Sequence, residues 1–249
     1  MLKYALILGD SMVKKVLKTF IILLVLIILL YPFSITGDIY HKNIAYPNNK
    51  TPIIEPEEEN IDINTLRSNY GNNDILAYVK IDSISLESVV LKTSDNDYYL
   101  NHDVYKNKSI YGVPFIDYRN KKDLSSEKQI NIYGHNSRVE EFLDDLPFSN
   151  LRYITDENTF NNLSDIYLYT DNDVLIYEPY IVKVITTDYE YTRLKFVNDE
   201  VLHNHLNNLV SNTMYCKDEC YIPDDKDIII LQTCFYNPRG SYLLLIGIR

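Results

Sequence analysis

A thiol, an imidazole and a guanidinium are the parts of this sequence that can do chemistry. Cys234 follows an apolar run in Asp227 to Arg249 (DIIILQTCFYNPRGSYLLLIGIR), Arg239 lies in the turn after it, and a second apolar run ends the chain. Far upstream, His135 stands in Tyr133-Gly134-His135-Asn136, just past another apolar run. A cysteine becomes a nucleophile when a base takes its proton, and a fixed positive charge stabilises the oxyanion that forms when it attacks a carbonyl. A lone cysteine is as often a buried structural residue. A polar Asn-Pro-Arg-Gly turn after Cys234 instead places it at a strand's rim, where a thiol beside an arginine is reactive. Gly134 permits a sharp turn before His135.

The other histidines and cysteines offer less. His203 and His205 are two apart on a helical stretch, face different sides and read as solvated. His102 reads as a surface residue and His41 falls in a polar linker. Cys216 and Cys220 resemble half a zinc site, but no second pair completes it. They are either a local disulfide of an oxidising compartment or two plain thiols. Seven glycines form no phosphate-binding loop. Neither a metal nor a cofactor is expected, and a net charge of −11 argues against nucleic acid.

The elements that must position these groups are mainly β. Residues 78–81, 84–91, 113–116, 130–133, 166–169, 174–185, 228–231 and 242–248 are rich in β-branched and aromatic residues and read as strands. Short helices are expected over 61–70, 95–100 and 139–148, and the clearest one over 198–212, where Val201, Leu202, Leu206, Leu209 and Val210 form one stripe. About eight strands with inserted helices suit a small closed or nearly closed barrel.

The region before residue 61 differs in kind. Thr19 to Gly37 carries no charge and is long enough to span a bilayer, and Lys14, Lys15 and Lys18 precede it. The expected layout is a cytoplasmic tail (1–18), a transmembrane signal-anchor (19–37), an extracellular stalk (38–60) and a catalytic domain (61–249). A cleaved signal peptide is the rival, although Ser34-Ile35-Thr36 poorly imitates a cleavage site. Met12 opens a tidier anchor than Met1. Pro47, Pro52, Pro56 and Glu57-Glu58-Glu59 mark the stalk as extended.

Together these residues resemble the sortase family. LQTC (Leu231 to Cys234) is similar to the family's T-L-x-T-C segment, YGHN to its histidine segment, and histidine precedes cysteine, unlike papain-type peptidases. Ser94 to Leu100 (SDNDYYL), Phe115 to Asn120 and the long helix before the cysteine strand resemble class B sortases in particular. No Asp-Pro-aromatic lid precedes the barrel, which argues against class C. The resemblance covers roughly residues 61–249.

It implies an eight-stranded sortase-type β-barrel preceded by a transmembrane helix, and a membrane-anchored transpeptidase with its catalytic domain outside a Gram-positive cell. Its substrates would be secreted proteins bearing a C-terminal sorting motif, cleaved after Thr and joined to an amine of peptidoglycan or its lipid-linked precursor. Cys234 would be the nucleophile, His135 the proton carrier and Arg239 the oxyanion ligand. Asn96, Leu100, Thr233 and Tyr242 would contact substrate. One departure stands out: the family's arginine register falls on Tyr242, and Arg239 comes three positions earlier. With ordinary pKa values near 8.5 and 6.5, thiolate and imidazolium coexist in only about one per cent of molecules near neutral pH. A secreted thiol peptidase, or an inactive cell-surface peptide-binding domain, are the other functions to weigh.

Overall fold

The computed structural model describes residues 61–137, 146–186 and 192–249. The expected tail, anchor and stalk (1–60), and most of the helix expected over 139–148, lie outside the described residues. Among the described residues no helix is long and apolar enough to cross a membrane.

Helix α1 (Ile63–Tyr70) is set by its caps. Asp62 accepts hydrogen bonds from the Asn64 and Thr65 amides, and Gly71 ends the helix in the left-handed conformation. Among the described residues nine strands follow: β1 (Ile75–Ile81), β2 (Leu86–Leu91), β3 (Phe115–Ile116), β4 (Gln129–Gly134), β5 (Ile166–Tyr169), β6 (Val174–Ile185), β7 (Tyr215–Cys216), β8 (Ile228–Phe235) and β9 (Ser241–Ile248). Helix α2 (Glu157–Asn161) precedes β5, and α3 (Asp199–Val210) lies between β6 and β7. The sheet runs β5-β1-β2-β3-β4-β8-β9-β6-β7, and a further β5–β6 pairing closes eight of these strands into a barrel with β7 appended. Closure leaves the eight-stranded wall with no free edge.

Barrel walls bury one face, so burial along a strand alternates with period 2. The first half of β6 obeys this: Val174, Ile176 and Glu178 are exposed while Leu175, Tyr177 and Pro179 are buried. β8 and β9 are buried on both faces instead. Ile229, Leu231, Leu243 and Leu245 join the barrel interior. Ile228, Ile230, Leu244 and Ile246 join an outer cluster with Leu206 and Leu209 of α3. A second outer cluster packs α1 and the excursion around Tyr99 against β1, β2 and β3.

Three expectations need correction. β8 does not stop at Leu231 but runs through Cys234 to Phe235. His205 is not solvated: it is buried at 4% exposure, with Nε2 2.6 Å from Oε1 of Gln129 at the start of β4, because α3 packs against the outer faces of β6, β8 and β9. Gly134 makes no turn. It is the last residue of β4, and a Cβ there would meet the Phe148 ring at 2.5 Å, so close packing requires the glycine. The segment Pro147–Thr155 that brings in Phe148 is a 3-10 helix.

Candidate active site

β4 and β8 are parallel neighbours in register, ending at Gly134 opposite Thr233. One residue further on, His135 and Cys234 are level. Alternation fixes their faces. Ile130 and Ile132 of β4, like Ile229 and Leu231 of β8, point into the barrel. His135 and Cys234 therefore share the opposite parity and project together from the outer wall. Adjacent strands lie about 4.8 Å apart, so two side chains so placed are neighbours. This parity puts both residues on the outside of the barrel wall, near the end of the two strands.

Hydrogen bonds fasten the two strand ends. Thr233 Oγ1 donates to the Gly134 carbonyl at 2.9 Å, Asn136 Nδ2 donates to the Cys234 carbonyl at 3.0 Å, and the Tyr236 hydroxyl donates to the Asn136 carbonyl at 3.0 Å. His135 Nε2 lies 2.8 Å from the Leu100 carbonyl oxygen. Cys234 is half-buried, is the free cysteine of the chain, and its thiol is pushed above its ordinary pKa by burial. Cys216 and Cys220 are joined as a disulfide.

That shift has a measurable sign. A raised pKa leaves the thiol protonated at neutral pH, and only the thiolate is alkylated. The rate of Cys234 carboxamidomethylation is therefore expected to keep rising with pH beyond the midpoint of about 8.5 for an exposed thiol. A midpoint below about 8 would mean that the site already holds a thiolate. Without reduction one thiol per chain should react, since the other two are paired.

The remaining candidates divide. Tyr242 is the antiparallel partner of Cys234 across β8–β9, so the two side chains share a face. Arg239 is exposed in the loop between these strands and lines a cavity of about 350 Å³ together with Cys234 and Tyr242. The loop thus puts Arg239 on the wall of the cavity that Cys234 also lines, while Tyr242 stands where the family pattern puts arginine. Ser241 Oγ closes the loop through the Phe235 and Pro238 carbonyls.

Two expected substrate contacts are engaged elsewhere. Thr233 is 1% exposed with its hydroxyl on β4, so it presents no surface to a peptide. Asn96 donates to Asp117 Oδ2 and accepts the Tyr118 amide, tying its loop to the turn after β3. Leu100 does reach the site, through its main chain. Asp117 is fully buried and also accepts from Tyr133 and Arg119, whose positive charge and hydrogen bonds hold its carboxyl below the usual range against the cost of burial. Sequence reading missed Asn136's clasp on Cys234 and the role of Tyr236. A polar residue directly after the histidine was the available signal for the first. Among the described residues no cluster of side chains could hold a metal ion.

Comparison with known proteins fits this geometry. No family model matches the chain. Sortase B of Listeria monocytogenes is 28% identical over 169 residues, which is 66% of this chain and 63% of that protein. The match therefore spans a little under two thirds of the relative's length. Among solved structures, sortase B of Clostridium perfringens superposes with a TM-score of 0.66 at 25% identity, covering 74% of this chain and 98% of that one. A Staphylococcus aureus sortase B–substrate complex gives a TM-score of 0.65 at 22% identity over 75% of this chain and 83% of that one.

Proposed function

We propose that this chain, a class B-like sortase in sequence and fold, is a cysteine transpeptidase acting on the C-terminal sorting motif of secreted proteins. The observation that carries the reading is the β4–β8 register, whose last pair, Gly134 and Thr233, directly precedes His135 and the half-buried Cys234 on adjacent strands. The thiolate of Cys234 attacks the carbonyl carbon of the peptide bond after Thr, and a C–S bond forms. The C–N bond then breaks as the His135 imidazolium gives its proton to the departing amine. A thioester remains. An incoming amine attacks it while His135 takes the amine's proton, so that the new C–N bond forms, the C–S bond breaks and the thiolate returns. Arg239, on the wall of the same cavity, supplies the positive charge that the oxyanion needs.

The acceptor in this reading is an amine of peptidoglycan or its lipid-linked precursor. The residue 19–37 segment anchors the protein with its N-terminus inside and the catalytic domain outside. The positive charges before that segment support this orientation, and the Cys216–Cys220 disulfide suits an oxidising exterior.

The test uses the full chain in detergent with a library of fluorogenic sorting peptides, with and without amine acceptors. Amine-dependent ligation is the expected result. Cleavage that no amine diverts means a peptidase, and tight binding without turnover means a peptide-binding domain. Arg239→Ala is expected to lower kcat/KM by about 10²- to 10³-fold, and Tyr242→Phe by less than about threefold (~0.6 kcal/mol). The reverse ranking would move oxyanion binding to the tyrosine that faces Cys234 across the sheet.

A further inference from the structure

An imidazole that shuttles protons between a nucleophile and a leaving group must be held in one tautomer and one orientation, usually by a third side chain. Among the described residues the hydrogen bond made by the His135 ring goes to main chain, the carbonyl of Leu100, at 2.8 Å. We infer that this carbonyl is the orienting partner of His135, and that Gly112 is the positioning residue that makes their contact possible. The inference rests on the acyl-transfer reading of the same site.

A carbonyl oxygen has no hydrogen to give, so Nε2 must carry the proton and Nδ1 is the basic nitrogen of the neutral ring. The carbonyl is itself held firmly. Tyr98–Leu100 is a 3-10 turn, the Leu100 amide donates to the Asp97 carbonyl, and the Val113 amide donates to the Tyr99 carbonyl. Tyr99 is buried, with its hydroxyl on Asp74.

Gly112 closes the arrangement. Its φ is +56°, and a Cβ there would lie 2.4 Å from the Tyr99 oxygen, 2.9 Å from Cδ2 of His135 and 3.0 Å from the Leu100 oxygen. A ring shift alone cannot relieve the 2.4 Å contact with the Tyr99 backbone oxygen, so the 98–100 turn must give way as well, and both the Leu100 oxygen and the ring are pushed from their present contact. A side chain at 112 thus breaks the alignment of the imidazole on that carbonyl. Gly71 is the natural control: its φ is +62° and a Cβ there meets nothing within 4 Å, so it carries the backbone strain without the contact.

The experiment is nitrogen-15 spectroscopy of the histidine-labelled full chain in detergent, with the His135 signals identified by their loss in His135→Gln. The expected result is an Nε2–H tautomer with a proton protected from exchange, unchanged in Cys234→Ala and Gly71→Ala, and lost or mixed in Gly112→Ala. Gly112→Ala should also lower kcat by about ten- to a hundredfold, as a misplaced catalytic group does, with KM for the peptide within about twofold. An Nδ1–H tautomer or a freely exchanging ring in the unaltered protein overturns the inference, as does Gly112→Ala keeping both ring signature and kcat. Should Gly112→Ala not fold, the unaltered protein's spectrum decides. The expected spectrum with no ligation by the unaltered chain would sink the transpeptidase reading and leave the Leu100–His135 pairing standing.

Discussion

Cys234→Ala is expected to abolish amine-dependent ligation, a fall of about 10⁴-fold or more, because the thioester has no other sulfur on which to form. Cys216 and Cys220 cannot substitute, since they are bonded to each other. The variant should fold normally. Cys234 is only half-buried, and removing its sulfur costs at most about 1 kcal/mol of apolar burial. Peptide affinity should therefore survive the loss of turnover, which equilibrium binding of a non-cleavable sorting peptide would measure. Retained ligation would place the nucleophile elsewhere.

His135→Ala comes next, with an expected loss of about 10²- to 10⁴-fold in kcat. The imidazole acts twice, as acid toward the leaving amine and as base toward the incoming one, so both half-reactions should slow. Residues that work as one unit are not additive. A Cys234→Ala, His135→Ala double variant is thus expected to be no worse than Cys234→Ala alone. The ring's bond to the Leu100 carbonyl adds a structural cost of about 0.5–1.5 kcal/mol, visible as a small drop in Tm. A His135→Ala enzyme with near-normal kcat would contradict the role drawn for it.

Much of this architecture is legible in the residues themselves. β5 and β6 lie where their β-branched and aromatic residues place them, because such side chains suit the pleated, half-buried wall of a barrel. Sequence alone ends β8 early because Gln232 and Thr233 break its apolar run. Thr233 stays in the strand by giving its hydroxyl to Gly134, a long-range bond that no local pattern reveals. The two-residue β7 carries too few positions for any periodicity. His205 escapes a sequence reading because its surroundings depend on how α3 packs on the sheet, which brings the ring to Gln129.

The site shows the same division. Cys234 and His135 stand out by residue type and by their immediate neighbours in the chain, and the register between two strands distant in sequence is what unites them. Asn96 and Thr233 draw attention as neighbours in a motif, yet their polar groups hold loops and strands together. The Leu100 carbonyl is invisible in principle, since every residue has one. Gly112 is the hint at that location, in a chain with only seven glycines.

Intact-mass measurement of the full chain mixed with a sorting peptide at low amine tests the thiol–imidazole site most directly. A covalent adduct equal to the acyl portion of the peptide should appear on Cys234 and disappear, with release of the ligated product, when an amine acceptor is added. Turnover with no adduct on Cys234, or an adduct that no amine discharges, would contradict a transpeptidase site at this pair of strand ends.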